Sequence, residues 1–257
     1  MLQRSQNSLR LGALAFAAFL GLQAFWILAT EIVRPKVAYF PGDKAASEIA
    51  AAQRGSAQFA AWIGIARGDI WADYAITLLS QLLADGKDTK AGDARELTES
   101  TRSVAITAAK LAPTDARIWL LLAMVDQRLD WLGRGIPGPL KMSYYTGPNV
   151  VALMPSRLLI ATRSAAITDP ELQDLVGREI RTIVTRRPDL RPALFVAYRD
   201  ALPEGRKFID SKVSDLDSNL MASIRASVPA QATTSPQGAS QPRPATTPVS
   251  PENAPRQ

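Results

Sequence analysis

The chain contains no cysteine and no histidine among its 257 residues. Without cysteine it forms no disulfide, carries no thiol nucleophile and offers zinc no thiolate. Without histidine it lacks the commonest general base and metal ligand, so serine–histidine and cysteine–histidine mechanisms are excluded within the chain. No phosphate-cradling G-x-x-x-x-G-K-[ST] loop occurs, and no cluster has metal-ligand spacing. These absences predict a protein with no cofactor and no metal that is not an enzyme. A formal charge of +6, spread along the chain, is too small for a nucleic-acid footprint. Long β-branched runs are scarce, whereas alanine and leucine, both good helix formers, are abundant.

One long uncharged run stands out. Leu11 to Thr30 reads LGALAFAAFLGLQAFWILAT, and twenty residues at 1.5 Å each span roughly the 30 Å of a bilayer's hydrocarbon core. Residues 1–10 before it are short and basic, with Arg4 and Arg10. Trp26 lies where an aromatic ring sits at headgroup level. A buried core helix and a cleaved signal peptide are the rival readings. The run exceeds a usual signal-peptide core, and no clear small-x-small cleavage site precedes Glu31. The expectation is an uncleaved signal-anchor in an inner membrane, single-pass, with the following domain in the periplasm. Arg34 and Lys36 compete with Arg4 and Arg10 in setting that orientation.

Residues 31–43 contain Pro35, Pro41 and Gly42 and read as a spacer. Residues 44–226 read as one helical domain. In its first part, Ile49, Phe59, Trp62 and Ile63 form an apolar stripe up to Ala66. Gly68-Asp69 is expected to break the chain before a second helix over Ile70–Leu83. The central stretch, Asp93–Trp131, reads as a helical hairpin. Leu97, Val104, Ala105, Ala108 and Leu111 share one face of its first helix. Asp93 and Glu96 fit an N-cap and its reciprocal partner. Pro113 enforces a turn, and Thr114 or Asp115 caps a second helix that buries Trp119, Leu122 and Ala123. Farther on, Gly147-Pro148-Asn149 is turn chemistry, and Pro155 delays or kinks the next helix. Asp169-Pro170-Glu171 is a helix start running to about Arg186. A short helix is expected over Pro192–Leu202 and one more over Glu204–Ala226. Residues 227–257 hold seven of the eighteen prolines with Ser, Thr, Ala and Gln, a composition that predicts a disordered tail.

Pro113 and Pro188 align, matching Trp119 to Leu194 and Leu122 to Ala197, two units of a helical repeat apart. Ala108, Pro113, Trp119, Leu122 and Ala123 resemble the late alanine, closing proline and opening W-x2-L-[GA] of the tetratricopeptide repeat. The fold class expected is therefore all-α: an N-terminal transmembrane helix followed by stacked antiparallel helical hairpins in a TPR-like array. A-x-x-L-A-P-T-D-A-R-I-W-L-x-L-A, followed by S-Y-Y-T-G-P-N-x-x-x-L-M-P-S-R-L, is similar to the VpsP-type family of proteobacterial proteins. Members of that family accompany exopolysaccharide biosynthesis genes. That resemblance, over roughly residues 55–205, implies an accessory role in polysaccharide assembly or export and brings no enzymatic activity.

Two segments concentrate recognition chemistry. Tyr144, Tyr145, Asn149 and Arg157 combine sugar-stacking rings with hydroxyl- and carboxylate-binding groups, and are read as a binding loop on a rigid scaffold. The bland alternative is that the tyrosines plug a gap between hairpins. Arg178, Arg181, Arg186, Arg187 and Arg191 form the densest basic run, suited to an anionic lipid or acidic polysaccharide, or else a solvated helix face. Asp126 and Asp130 share a helical face without catalytic context. The expected function is a membrane-anchored, non-enzymatic adaptor in exopolysaccharide assembly. Its expected partners are the membrane, envelope proteins and glycan, with no nucleic acid. A general envelope scaffold is the alternative, and a carboxylate-dependent glycan enzyme the third reading.

Overall fold

The computed structural model describes residues 2–34, 48–49, 52–84, 91–130 and 133–228. The predicted spacer from Pro35, the loop around Gly86 and the tail beyond Val228 lie outside the described residues. Within them every regular element is helical: α1 (Leu2–Val33), α2 (Arg54–Ile63), α3 (Gly68–Ala84), α4 (Ala91–Leu111), α5 (Ala116–Leu129), α6 (Pro137–Thr146), α7 (Met154–Thr162), α8 (Pro170–Thr185), α9 (Arg191–Asp200), α10 (Pro203–Ser214) and α11 (Ser218–Ser227). Short 3₁₀ turns lead into α7, α8 and α9.

The helices stack as a repeat array. Helices α2 to α5 and α7 to α10 each pack on their successors, and alternate helices also touch, giving the row α3, α5, α7, α9, α11 and the row α6, α8, α10. This is the consequence of hairpins that cannot bury an apolar face alone. Pro113 and Pro188 stand just before α5 and α9, two positions apart in the first row. Their buried followers Leu122 and Ala123, and Leu194 and Ala197, face the core in both. One core gathers residues of α3, α4 and α5, and a second gathers those of α5 to α11. Buried hydroxyls do not disturb the first: Thr77, Ser80, Thr98 and Thr101 each bond the carbonyl four residues earlier.

Side-chain caps fix the starts of α5, α8 and α11. Asp115 accepts a hydrogen bond from the Arg117 amide at 2.9 Å, and Asp169 accepts from Leu172 at 3.0 Å, with Pro170 in the first turn. Several expectations shift. Helix α4 begins at Ala91, so Asp93 lies inside its first turn, where its charge suits the amide end, and is not the cap. Gly68 opens α3 and does not break the chain; the turn falls at Gly64–Arg67. The glycine is required because a Cβ there would come within 2.8 Å of the Ala112 nitrogen. Trp119 is only half-buried, its indole donating to the Pro113 carbonyl at 2.7 Å, while α5 buries residues on nearly every face. The single helix expected over Glu204–Ala226 is two, because Asp217 caps α11 through the Leu220 amide at 2.9 Å.

Helix α1 is long and apolar enough to cross a membrane over Arg10–Val33, and that segment is exposed along its most apolar window. Only its end touches the array. Trp26 donates to the Ile63 carbonyl at 3.0 Å, Arg67 binds Glu31 at 2.5 Å, and Arg34 binds Asp73 at 2.6 Å.

Candidate functional site

Tyr144 and Tyr145 lie on α6, not on a loop, because Pro137 opens a helix that continues to Thr146. The Gly133–Gly138 segment before it has the G-x-G-x-x-G glycine spacing, but it joins α5 to α6. A dinucleotide turn instead follows a strand.

Neighbouring positions on α6 point in different directions. Tyr144 is turned into the core, whereas Tyr145 is half-exposed and donates to Glu171, which Lys141 binds at 2.8 Å. Tyr145 therefore belongs to a surface cluster at the start of α8. Arg157, expected to meet ligand, is fully buried. Its Nε donates to Ser143 Oγ at 3.0 Å, and its terminal nitrogens donate to the Gly147 carbonyl at 2.9 Å and the Ser143 carbonyl at 2.5 Å. The Tyr144 ring lies 4.8 Å from the guanidinium carbon. Gly147 is held tightly here: a Cβ would meet that of Ala116 at 2.6 Å. Arg157 is thus a structural fork tying α6 to α7, and its burial lowers its pKa from the usual arginine value.

Behind Tyr144 stands Glu179 of α8, 4% exposed. The Tyr144 hydroxyl donates to its Oε1 at 3.0 Å, while Oε2 has no hydrogen-bond partner and lies 3.9 Å from an Arg157 nitrogen. Burial pushes this carboxyl from near 4.5 up to about 8, against the opposing pull of Arg157 and Tyr144. Burial therefore favours the protonated form of Glu179 at neutral pH.

Glu179, Tyr144 and Asn149 line a cleft of about 570 Å³. Its floor includes Met154, Leu175 and Leu216, and Arg178, Arg181 and Arg186 stand around it. Among the described residues, none of these three arginines has a carboxylate partner; the Arg178 Nε donates only to the Asp174 carbonyl at 3.3 Å. A second hollow of about 370 Å³ adjoins the first, sharing Arg178, Arg181 and Leu216 and adding Lys212. The other members of the predicted basic run are used differently. Arg187 pairs with Asp189 at 2.6 Å, and Arg191 donates to the Val184 carbonyl at 2.9 Å.

So Tyr144, Asn149 and three of the five arginines converge on one cleft, Arg157 supports it from behind, and Tyr145 stands apart. Glu179 escaped the sequence reading, although its register was legible: it falls on the α8 face of Leu172, Leu175, Val176 and Ile183, all buried. Asp126 binds Arg102 at 2.6 Å and takes no part. Comparison with protein-family models, curated proteins and solved structures finds no match.

Proposed function

We propose that this chain is a membrane-anchored, non-enzymatic helical-repeat adaptor that holds an acidic glycan during exopolysaccharide assembly or export. The observation that carries the reading is the cleft, with three arginines lacking carboxylate partners above an apolar floor. Guanidinium forks match carboxylate geometry, and apolar floors suit sugar-ring faces. Two adjoining hollows with shared arginines suit consecutive residues of a chain. The exposed apolar helix supports a membrane anchor, and the reading puts that anchor in the inner membrane with the array in the periplasm. The similarity to the VpsP-type family points the same way.

The test uses full-length protein in nanodiscs, titrated with an oligohexuronate and with a neutral oligosaccharide of equal length. Saturable binding of the acidic oligomer alone is expected, weakened at least about tenfold when Arg178→Gln and Arg181→Gln are combined. That factor corresponds to about 1.4 kcal/mol. Equal affinity for both oligomers, or an unaffected double variant, would refute the glycan assignment. In cells, a deletion should lose polymer, rescued by the anchored form.

A second reading, a general envelope scaffold, draws on a separate groove of about 840 Å³. It runs along the row α3, α5, α7 and α9, with Leu83, Met124, Leu159 and Val196 on its walls. On this reading the groove takes an apolar segment of a partner protein. If a pull-down from solubilised membranes recovers a partner that Leu159→Glu abolishes, while polymer output is unchanged, the scaffold reading wins.

A further inference from the structure

The apolar face of α2 and of the turn that follows it has no cover among the described residues. Phe59, Trp62 and Ile65 are 50%, 72% and 73% exposed, although the opposite face of the helix buries Ala57, Ala60 and Ala61. Phe59 and Trp62 stack with ring centroids 6.2 Å apart, beside an apolar hollow of about 510 Å³ shared with Trp71 and Tyr74. Aromatic rings exposed together on one helix are costly in water and favoured at a membrane's headgroup boundary.

The position of α2 along α1 says what covers this face. The Trp26 indole holds the Ile63 carbonyl at 3.0 Å, and Arg67, just past Ile65, reaches Thr30 at 3.1 Å and Glu31 at 2.5 Å. The end of α2 and the turn after it therefore lie level with Trp26–Glu31, the last turns of the apolar run. Those turns are where the span leaves the hydrocarbon. Arg34, Arg67, Asp69 and Asp73 form an ion-paired collar immediately beyond. An apolar aromatic face at that level, next to a charged collar, is what an interfacial helix presents to lipid.

We propose that α2 lies on the same bilayer that α1 crosses, with Phe59, Trp62 and Ile65 seated among the headgroups, so that the array is held at a fixed height and tilt. The proposal rests on α1 being a membrane span and is tested so that the two can fail separately. The absence of native cysteine makes single-cysteine spin labelling clean. Full-length protein carrying Trp62→Cys, Ile65→Cys, Phe19→Cys or Ser100→Cys is placed in nanodiscs of phosphatidylethanolamine and phosphatidylglycerol. Label collisions with oxygen, which partitions into lipid, and with a water-soluble nickel chelate are compared.

The expected result is a deep reading at position 19, an aqueous one at 100, and oxygen-to-nickel ratios at 62 and 65 at least about threefold above that at 100. Ratios at 62 and 65 equal to that at 100, with 19 deep, would leave the anchor standing and overturn the seating of α2. Low collision with both reagents at 62 and 65 would mean that protein covers the face, and would overturn it equally. An aqueous reading at 19 would remove the anchor and this inference together. The double variant Phe59→Ser with Ile65→Ser, keeping Trp26, should lower the ratio at 62 at least about twofold.

Discussion

Asp73 and Glu179 are the two most deeply buried carboxylates among the described residues, at 1% and 4% exposed, and they are built alike. Each has one oxygen in a hydrogen bond, from Arg34 at 2.6 Å or Tyr144 at 3.0 Å. Each has a second oxygen without a donor that faces a guanidinium nitrogen 3.9 Å away, of Arg117 or Arg157. Burial raises both pKa values. The difference lies in the partners. Arg34 hydrogen-bonds Asp73 directly as a cation, which opposes the effect of burial, whereas the donor to Glu179 is the uncharged Tyr144 hydroxyl. Arg157 and Tyr144 are buried with Glu179, and its acid is pushed up to about 8. The pKa of a buried carboxylate is thus set by its own burial and by whether a cation bonds it directly. One site ties the end of α1 to the array. The other forms part of the wall of the cleft beside α8.

The comparison is broken most severely at Arg157. Arg157→Met would leave the carbonyls of Ser143 and Gly147 and the Ser143 hydroxyl without their buried donor. A loss of about 3–5 kcal/mol is expected in urea unfolding monitored by circular dichroism. Arg157→Lys should recover little of it, because one ammonium cannot span three acceptors set in a fork. Full recovery by lysine would mean that charge alone, not the fork, matters there.

Glu179 comes next, and the sign of its pH dependence follows from its raised value. Between about 4.5 and about 8 the folded chain holds a proton on this group that the unfolded chain has released. Folding stability contributed by Glu179 is therefore full at the acid end and falls as pH rises through that window. The limiting slope is about 1.4 kcal/mol per pH unit. Glu179→Gln keeps the neutral shape and should flatten this slope. It should raise the melting temperature at pH 8 while leaving it nearly unchanged near pH 4.5. An unchanged pH profile would show that Glu179 is ionised in the folded chain.

The same two carboxylates show how much the sequence reveals. Helix class and the repeat were legible, because apolar spacing and proline position act locally: Asp115 and Asp169 cap as their neighbours suggest, and Pro113 and Pro188 mark equivalent turns. Local chemistry also misled. Gly68 reads as a breaker but serves a close helix approach to Ala112, which lies more than forty residues later in sequence. Tyr144, Tyr145 and Arg157 read as a binding loop because their types suit sugars. Which of them faces solvent depends on α8, an element that sequence spacing cannot dock. The convergence of Tyr144 and Asn149 with the arginines of α8 is a property of the array, since α6 and α8 meet only as alternate members of one row.

Asp73→Asn should have the smallest effect of the three, and the reason sharpens the comparison. Losing the Asp73 charge leaves Arg34 with Asp69 at 3.1 Å and Glu31 at 3.4 Å, and with access to water. No buried charge is stranded, so the loss should be about 1 kcal/mol or less once solvent screening is counted. The loss should still be local. Arg34 is the last described residue after α1, and Asp73 is its most buried partner, so weakening the pair should loosen the collar before it weakens the core. Hydrogen exchange of the amides in α3 and α5 should stay as slow as in the parent. Spin-label mobility at the exposed Ile32 should rise. Equal acceleration of exchange throughout α3–α5 would show that Asp73 supports the core, as Arg157 does, and the contrast between a wet tie and a dry wall would collapse.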